Sequence, residues 1–104
     1  MALFRRRRTT ASGTGPKEAE RAVLAHLREF ATTRQGVEAY IEPVTNVTQT
    51  TMVLVAMTGE WTRRRVPDAR TARSIAQTLG IPVYDVQLTG YPSRMREWNP
   101  RKRA

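Results

Sequence analysis

The sequence predicts an α+β domain of two layers, in which helices cover one face of a mainly antiparallel sheet. Two segments repeat apolar residues every three or four positions, which is the period of an amphipathic helix. Four shorter segments either alternate apolar and polar residues or are continuously apolar, as strands are. In chain order these segments predict helix, strand, strand, strand, helix, strand, and 104 residues suffice for one such domain.

The first helix is predicted to begin at Pro16 and to end near Gly36. Proline suits the first helical position because the N–H that it lacks would have no helical partner there. The preceding residues 1–15 are rich in Arg, Thr, Ser and Gly, so we expect a flexible basic arm followed by a single domain over 16–98. The apolar stripe of this helix consists of Ala19, Val23, Leu27 and Phe30.

Two strands are predicted after this helix. The stretch "VEAYIEPV" alternates, with Val37, Ala39 and Ile41 on one face, and Pro43 indicates a sheet edge or an early end. The stretch "TMVLVAMT", residues 51–58, is continuously apolar. Such a short apolar run is typical of a central strand that is covered on both faces.

A tight turn at Gly59 leads into a third strand, "WTRRRV". Alternation along this strand places Trp61, Arg63 and Arg65 on one face, so the two arginines project together. Trp61 can stack on a nucleic-acid base or close the turn over the core, and we favour the core role.

The second helix is predicted between Asp68, a suitable N-cap, and Gly80, which is placed to end it. The stretch "IPVYDVQL", residues 81–88, predicts the fourth strand. Aromatic residues and methionine at helical spacing within 91–98 predict a short helical turn that packs against the body. Residues 99–104 are expected to form a frayed basic tail.

The formal net charge of +9 is carried mostly by the two ends of the chain. Of the 18 basic residues, Arg5–Arg8 contribute four, and Arg101, Lys102 and Arg103 contribute three. The body of the chain, residues 9–100, contains eleven basic and nine acidic residues, so its net charge is only +2. A basic chain of this kind favours an anionic partner, and most of the basic residues in the body lie in its second half.

The residues do not form a recognisable catalytic, metal or cofactor motif. Cysteine is absent, and His26, the single histidine, is expected to be an ordinary half-exposed side chain. Asp68 and Asp85 are better explained as a helix cap and a strand residue than as a catalytic pair. The stretch "SGTGPK" lacks the spacing and preceding strand of a phosphate loop. An enzyme is therefore the least favoured class, and we expect no cofactor and no metal.

A membrane span is not expected, because no apolar run approaches the length that a spanning helix needs. The start "MALFRRRRTT" lacks the apolar segment of a secretory signal. We therefore expect a cytoplasmic protein.

The arginines around the start of the second helix are the candidate anion-binding surface. We expect them to bind RNA or the ribosome, while a protein partner and a merely solvated face are the alternatives. The candidate residues are Arg63, Arg64, Arg65, Arg70 and Arg73.

The element order, with arginines just before the second helix, is similar to the double-stranded RNA-binding domain. That resemblance implies phosphate binding at the start of the helix. The sequence differs from that family in Pro67-Asp68, where the family has lysines, and in the added strand over 81–88.

The stretches "GEWTRRRV", "IPVYDV" and "TGYPSRMREWN" resemble segments of a family of short arginine-rich proteins of high-GC Gram-positive bacteria. The likeness covers about residues 36–99. It implies one intact domain and no particular mechanism.

The C-terminal stretch "GYPSRMREWN" has two interpretations. Its apolar residues can dock on the body and cover a sheet edge or a helix seam. Alternatively they can form an exposed anchor for a protein partner or a homodimer, since Trp, Tyr and Arg dominate interface energies. The candidate anchor residues are Trp61, Tyr91, Arg94, Met95, Arg96 and Trp98.

Overall fold

The structure, a computed structural model, describes residues 16–43 and 49–98, with side chains from residue 20 onward. The predicted basic arm and tail lie outside the described residues. The predicted fold class and element order are confirmed, and two short helices follow the last strand. The elements are α1 (Pro16–Thr33), β1 (Glu38–Glu42), β2 (Thr51–Val55), β3 (Trp61–Arg65), α2 (Ala69–Leu79), β4 (Val83–Asp85), α3 (Val86–Thr89) and α4 (Ser93–Glu97).

The four strands form one mixed sheet in the order β3-β2-β1-β4. The pairs β2–β3 and β1–β2 are antiparallel, whereas β4 runs parallel to β1 after the crossover through α2. Strand β2 is inner, as its apolar run predicts, and residues Met52–Val55 are fully buried. Strand β3 is an edge strand, which leaves its outer side open.

The main core lies between the two long helices and one face of the sheet. Helix α1 contributes Leu27 and Phe30, and α2 contributes the small residues Ala72 and Ala76. Alanines at these positions let α2 approach the sheet closely. The sheet contributes Val37, Ala39, Ile41, Met52, Leu54 and Ala56.

A second, smaller core lies on the opposite face of the sheet, which we call the open face. Tyr40, Val53 and Val55 are buried there, and Tyr84 and Met95 pack against them. The prediction of helices on one face therefore holds for α1 and α2, whereas α4 covers the other face through Met95.

Two predicted boundaries change. The fourth strand spans only three residues of the predicted 81–88, because the Asp85 carboxylate accepts a hydrogen bond from the N–H of Gln87 and starts α3. Helix α1 ends at Thr33 rather than near Gly36, and the Thr33 hydroxyl donates back to the carbonyl of Glu29. Pro43 marks the early end of an inner strand rather than a sheet edge.

In the described part of the chain, no helix has both the length and the apolar character needed to cross a membrane.

Candidate nucleic-acid interface

Helix α2 begins with its own anionic cap. Asp68 accepts a hydrogen bond from the N–H of Thr71 at 2.7 Å, and that bond holds the pKa of the Asp68 carboxyl below its usual value. Its carbonyl also accepts from Ala72. The predicted cap is confirmed. It supplies the negative charge that the helix end favours, so an incoming anion would be bound chiefly by side chains.

Three of the five predicted anion-binding arginines point into solvent. Arg65, Arg70 and Arg73 are exposed, and none of their side chains forms a hydrogen bond or an ion pair within the described part of the chain. Arg70 and Arg73 lie one turn apart on α2, and Arg65 ends β3 three residues before the Asp68 cap. These three, which we call the exposed arginines, are available to a ligand.

Arg63 is held by a carboxylate instead. Its Nε and Nη2 donate to the two oxygens of Glu42 at 2.8 and 2.9 Å. The hydroxyls of Thr51 and Tyr91 also donate to Glu42. Burial raises the pKa of the Glu42 carboxyl, but the three donors together outweigh burial and hold that pKa below its ordinary value. Arg63 is thus part of a structural network on the open face.

Arg64 projects to the other side of the sheet, toward α1. Its Nη1 donates to Nδ1 of His26 at 3.0 Å, and Nε2 of His26 lies 3.3 Å from the Thr62 hydroxyl. An arginine only donates, so Nδ1 accepts and Nε2 carries the hydrogen. His26 is half-exposed, as expected. The structure therefore separates Arg64 from Arg63 and Arg65.

The predicted anchor residues of the C-terminal stretch contact their own domain. Arg94 donates from Nε to the carbonyl of Ala56 at 2.9 Å and from Nη2 to Glu38 at 2.6 Å. The bond from Arg94 lowers the pKa of Glu38, and burial counters it only in part. Arg96 donates to the carbonyl of Tyr91 at 3.3 Å.

The two remaining predicted anchors lie at the turn between β2 and β3. Trp98 is half-buried beside Gly59. Trp61 keeps 38% of its surface exposed and belongs to neither core, so the favoured core role is wrong. The guanidinium of Arg63 lies 5.1 Å from the centroid of the Trp61 ring. Trp61 is thus an accessible aromatic surface on the open face.

A groove with a volume of about 730 Å³ opens between α1 and α2. Val23, Leu24 and Ile75 give it apolar walls, while Arg65 and Asp68 lie at the end nearest the start of α2. This surface has a mixed rim of acidic and basic side chains.

Helix α1 runs antiparallel to β3. Its C-terminal end places Arg34 against Glu60 at 2.8 Å, whereas Glu20, near its start, lines the same groove as Arg65. The helix therefore begins at the end of the domain where Arg65 lies, and residues 1–15 are joined to the domain there. Trp98, which precedes residues 99–104, lies at the opposite end, beside Gly59.

Sequence reasoning missed Glu42, which accepts hydrogen bonds from β2, from β3 and from the loop between α3 and α4. The alternation of β1 places Glu38, Tyr40 and Glu42 on one face, but only the strand register brings Thr51 opposite Glu42. The contact with Tyr91 depends further on where the C-terminal stretch crosses the sheet.

Comparison with models of protein families, with curated proteins and with solved structures found no match.

Proposed function

We propose that this protein is a non-enzymatic RNA-binding module that acts in the cytoplasm, on free RNA or on the ribosome. The observation that carries the proposal is the group of exposed arginines, Arg65, Arg70 and Arg73, whose side chains form no hydrogen bond or ion pair within the described residues, although the charge of Arg70 acts on the Asp68 carboxylate. Other arginines are paired with carboxylates, including Arg34, Arg63 and Arg94. The charge available to a ligand is therefore concentrated at the start of α2.

The basic composition of the segment that precedes α1 supports an anionic ligand. Arg5–Arg8 belong to the segment that joins α1 at the end of the domain where Arg65 lies. Arginine binds phosphate oxygens through its planar fork of donors, and each neutralised phosphate releases counterions. A long polyanion can contact both the exposed arginines and this segment, which a small anion cannot do.

The test compares two variants of the full chain that lose the same charge. Arg70→Gln with Arg73→Gln removes two exposed arginines, and Arg28→Gln with Arg96→Gln removes two exposed charges from other elements. Fluorescence anisotropy with labelled RNA at one fixed, near-physiological salt concentration measures the affinity. We expect the first pair to weaken binding about tenfold or more, and the control pair to weaken it clearly less.

Equal affinities for the two variants would contradict the proposed surface. A wild-type chain that binds no RNA at this salt concentration would contradict the function itself.

A protein-interaction or dimerisation module is the second candidate, and the groove between α1 and α2 is the observation that favours it. Its walls are apolar and accessible, whereas the apolar residues of the inner strand β2 are buried on both faces of the sheet. Light scattering tests this candidate, since a dimer that the substitution Ile75→Arg dissociates would support it.

A further inference from the structure

The open face of edge strand β3 presents an aromatic and basic strip, which consists of Trp61, Arg63 and Arg65. All three are exposed and alternate with residues that face α1. Arg65 lies four positions after Trp61 along the strand, a distance of about 13 Å. The strip therefore continues from the turn at Gly59 to the exposed arginines.

The backbone of the strip is also open. The N–H of Ala56 donates to Glu60, and that of Val66 donates to Thr50, so the even-numbered residues of β3 pair with β2. In an antiparallel ladder the alternate residues point the other way. The N–H and C=O groups of the strip face the outer side of the sheet, where no strand of the described chain pairs with them.

The carboxylates beside the strip are already paired with arginines. Glu42 is bound by Arg63, and Glu38, which lies across β2 from the row of Trp61, is bound by Arg94. Glu60, the residue before the strip, is bound by Arg34. These negative charges are partly neutralised, so they repel an approaching phosphate less than free carboxylates would.

Trp61 is held in place without being buried. The Arg63 guanidinium lies over its ring, and Glu42 fixes that guanidinium through two hydrogen bonds. A ring that is oriented in advance loses little freedom when a ligand stacks on it. Aromatic side chains on an open sheet face are a common platform for unpaired bases.

We propose that the strip binds single-stranded RNA, with one base stacked on Trp61 and a neighbouring phosphate bound by Arg65. The inference rests on the proposed RNA-binding function and deepens it by naming the form of the RNA. Bases in a duplex are stacked on each other and have no free face for Trp61, whereas an unpaired base does.

The experiment uses the full chain with Trp61→Leu and with Trp61→Phe. Leucine keeps an apolar side chain without a π face, and phenylalanine restores one. Anisotropy is measured with a labelled oligouridylate, a labelled oligoadenylate and a hairpin duplex, and thermal melting verifies that both variants fold.

We expect Trp61→Leu to bind both single strands about 5-fold to 100-fold more weakly, and Trp61→Phe to recover most of that affinity. Affinity for the duplex should change by less than about twofold in both variants, since the charges are the same.

Unchanged single-strand affinity in a folded Trp61→Leu protein would overturn the inference and leave the RNA-binding function standing. An equal loss for single strands and duplex would also overturn it, because the ring would then serve the duplex as well. A wild-type chain that binds none of the three probes would contradict the proposed function, and the inference with it.

Discussion

Arg63 and Arg65 lie two residues apart on one face of β3, and their surroundings differ. Arg63 forms two hydrogen bonds to Glu42, whose side chain is 16% exposed. Arg65 has no partner within the described residues and ends the strand at the rim of the groove. We therefore expect Arg63 to act chiefly on stability, and on binding only through the orientation of Trp61, whereas we expect Arg65 to contact the ligand directly.

Replacing Arg63 by glutamine should destabilise the domain, because Glu42 would lose its charged partner while remaining half-buried. We expect a loss of about 1 kcal/mol, since part of Arg63 is in solvent, and a melting temperature lower by about 4–8 °C. Arg65→Gln is the matched control and should change the free energy of unfolding by less than about 0.5 kcal/mol. Thermal and urea unfolding measure both, and equal losses would contradict the network.

Glu42 also predicts how stability depends on pH. Its pKa in the folded chain lies below the ordinary value of 4.5, so the ionised carboxylate stabilises the folded state above that pH. This contribution is lost as the pH falls through the lowered pKa. The free energy of unfolding should therefore fall as the pH drops below the ordinary carboxyl pKa, and it should fall less in Glu42→Gln. Identical pH profiles for the two proteins would refute this role.

At the scale of elements, Gly59 fixes how closely α4 approaches the turn between β2 and β3. Its φ is +97°, and a Cβ at this position would lie 2.1 Å from the carbonyl oxygen of Arg94. Gly80, which ends α2 with φ +71°, has open space where its Cβ would be. Alanine at Gly80 would therefore introduce backbone strain alone, whereas alanine at Gly59 would add steric overlap to that strain.

We expect Gly59→Ala to lower the free energy of unfolding by about 2–5 kcal/mol, because strain and overlap add. Gly80→Ala should lower it by about 1–2 kcal/mol from strain alone. Urea unfolding compares them. A Gly59→Ala domain as stable as Gly80→Ala would show that α4 does not pack against this turn.

Local patterns were sufficient to predict most elements. The 3.6-residue period predicted α1 and α2, Asp68 and Gly80 predicted the ends of α2, and the continuous apolar run predicted the inner strand β2. The length of β4 could not be obtained in this way. Its apolar pattern continues to Leu88, but the Asp85 cap turns the chain into α3, and Leu88 is 86% exposed.

Contacts between strands could not be predicted from local patterns. The alternation of β3 correctly grouped Arg63 with Arg65, but it could not show that Glu42 would bind one of them and leave the other in solvent. The same limit explains the error at Trp61, since an aromatic residue after a turn fits the core and the surface equally well. Only the register of the sheet and the path of the C-terminal stretch distinguish these outcomes.

At the scale of the whole molecule, the 18 basic residues include two sets with different roles. One set contains arginines paired with carboxylates, which hold the C-terminal stretch and the strands together. The other contains the exposed arginines, together with the seven basic residues of the chain ends. We expect only the second set to contribute to the salt dependence of RNA binding.

The most direct measurement is the salt dependence of RNA affinity for the wild-type chain and for the variant with Arg65, Arg70 and Arg73 all changed to glutamine. Each phosphate neutralised on a single strand contributes a slope of about −0.7 to the plot of log affinity against log salt. We predict that the triple variant has a slope less steep by about 2. A slope equal to that of the wild type would show that the chain ends alone bind the RNA and would contradict the proposed role of the start of α2.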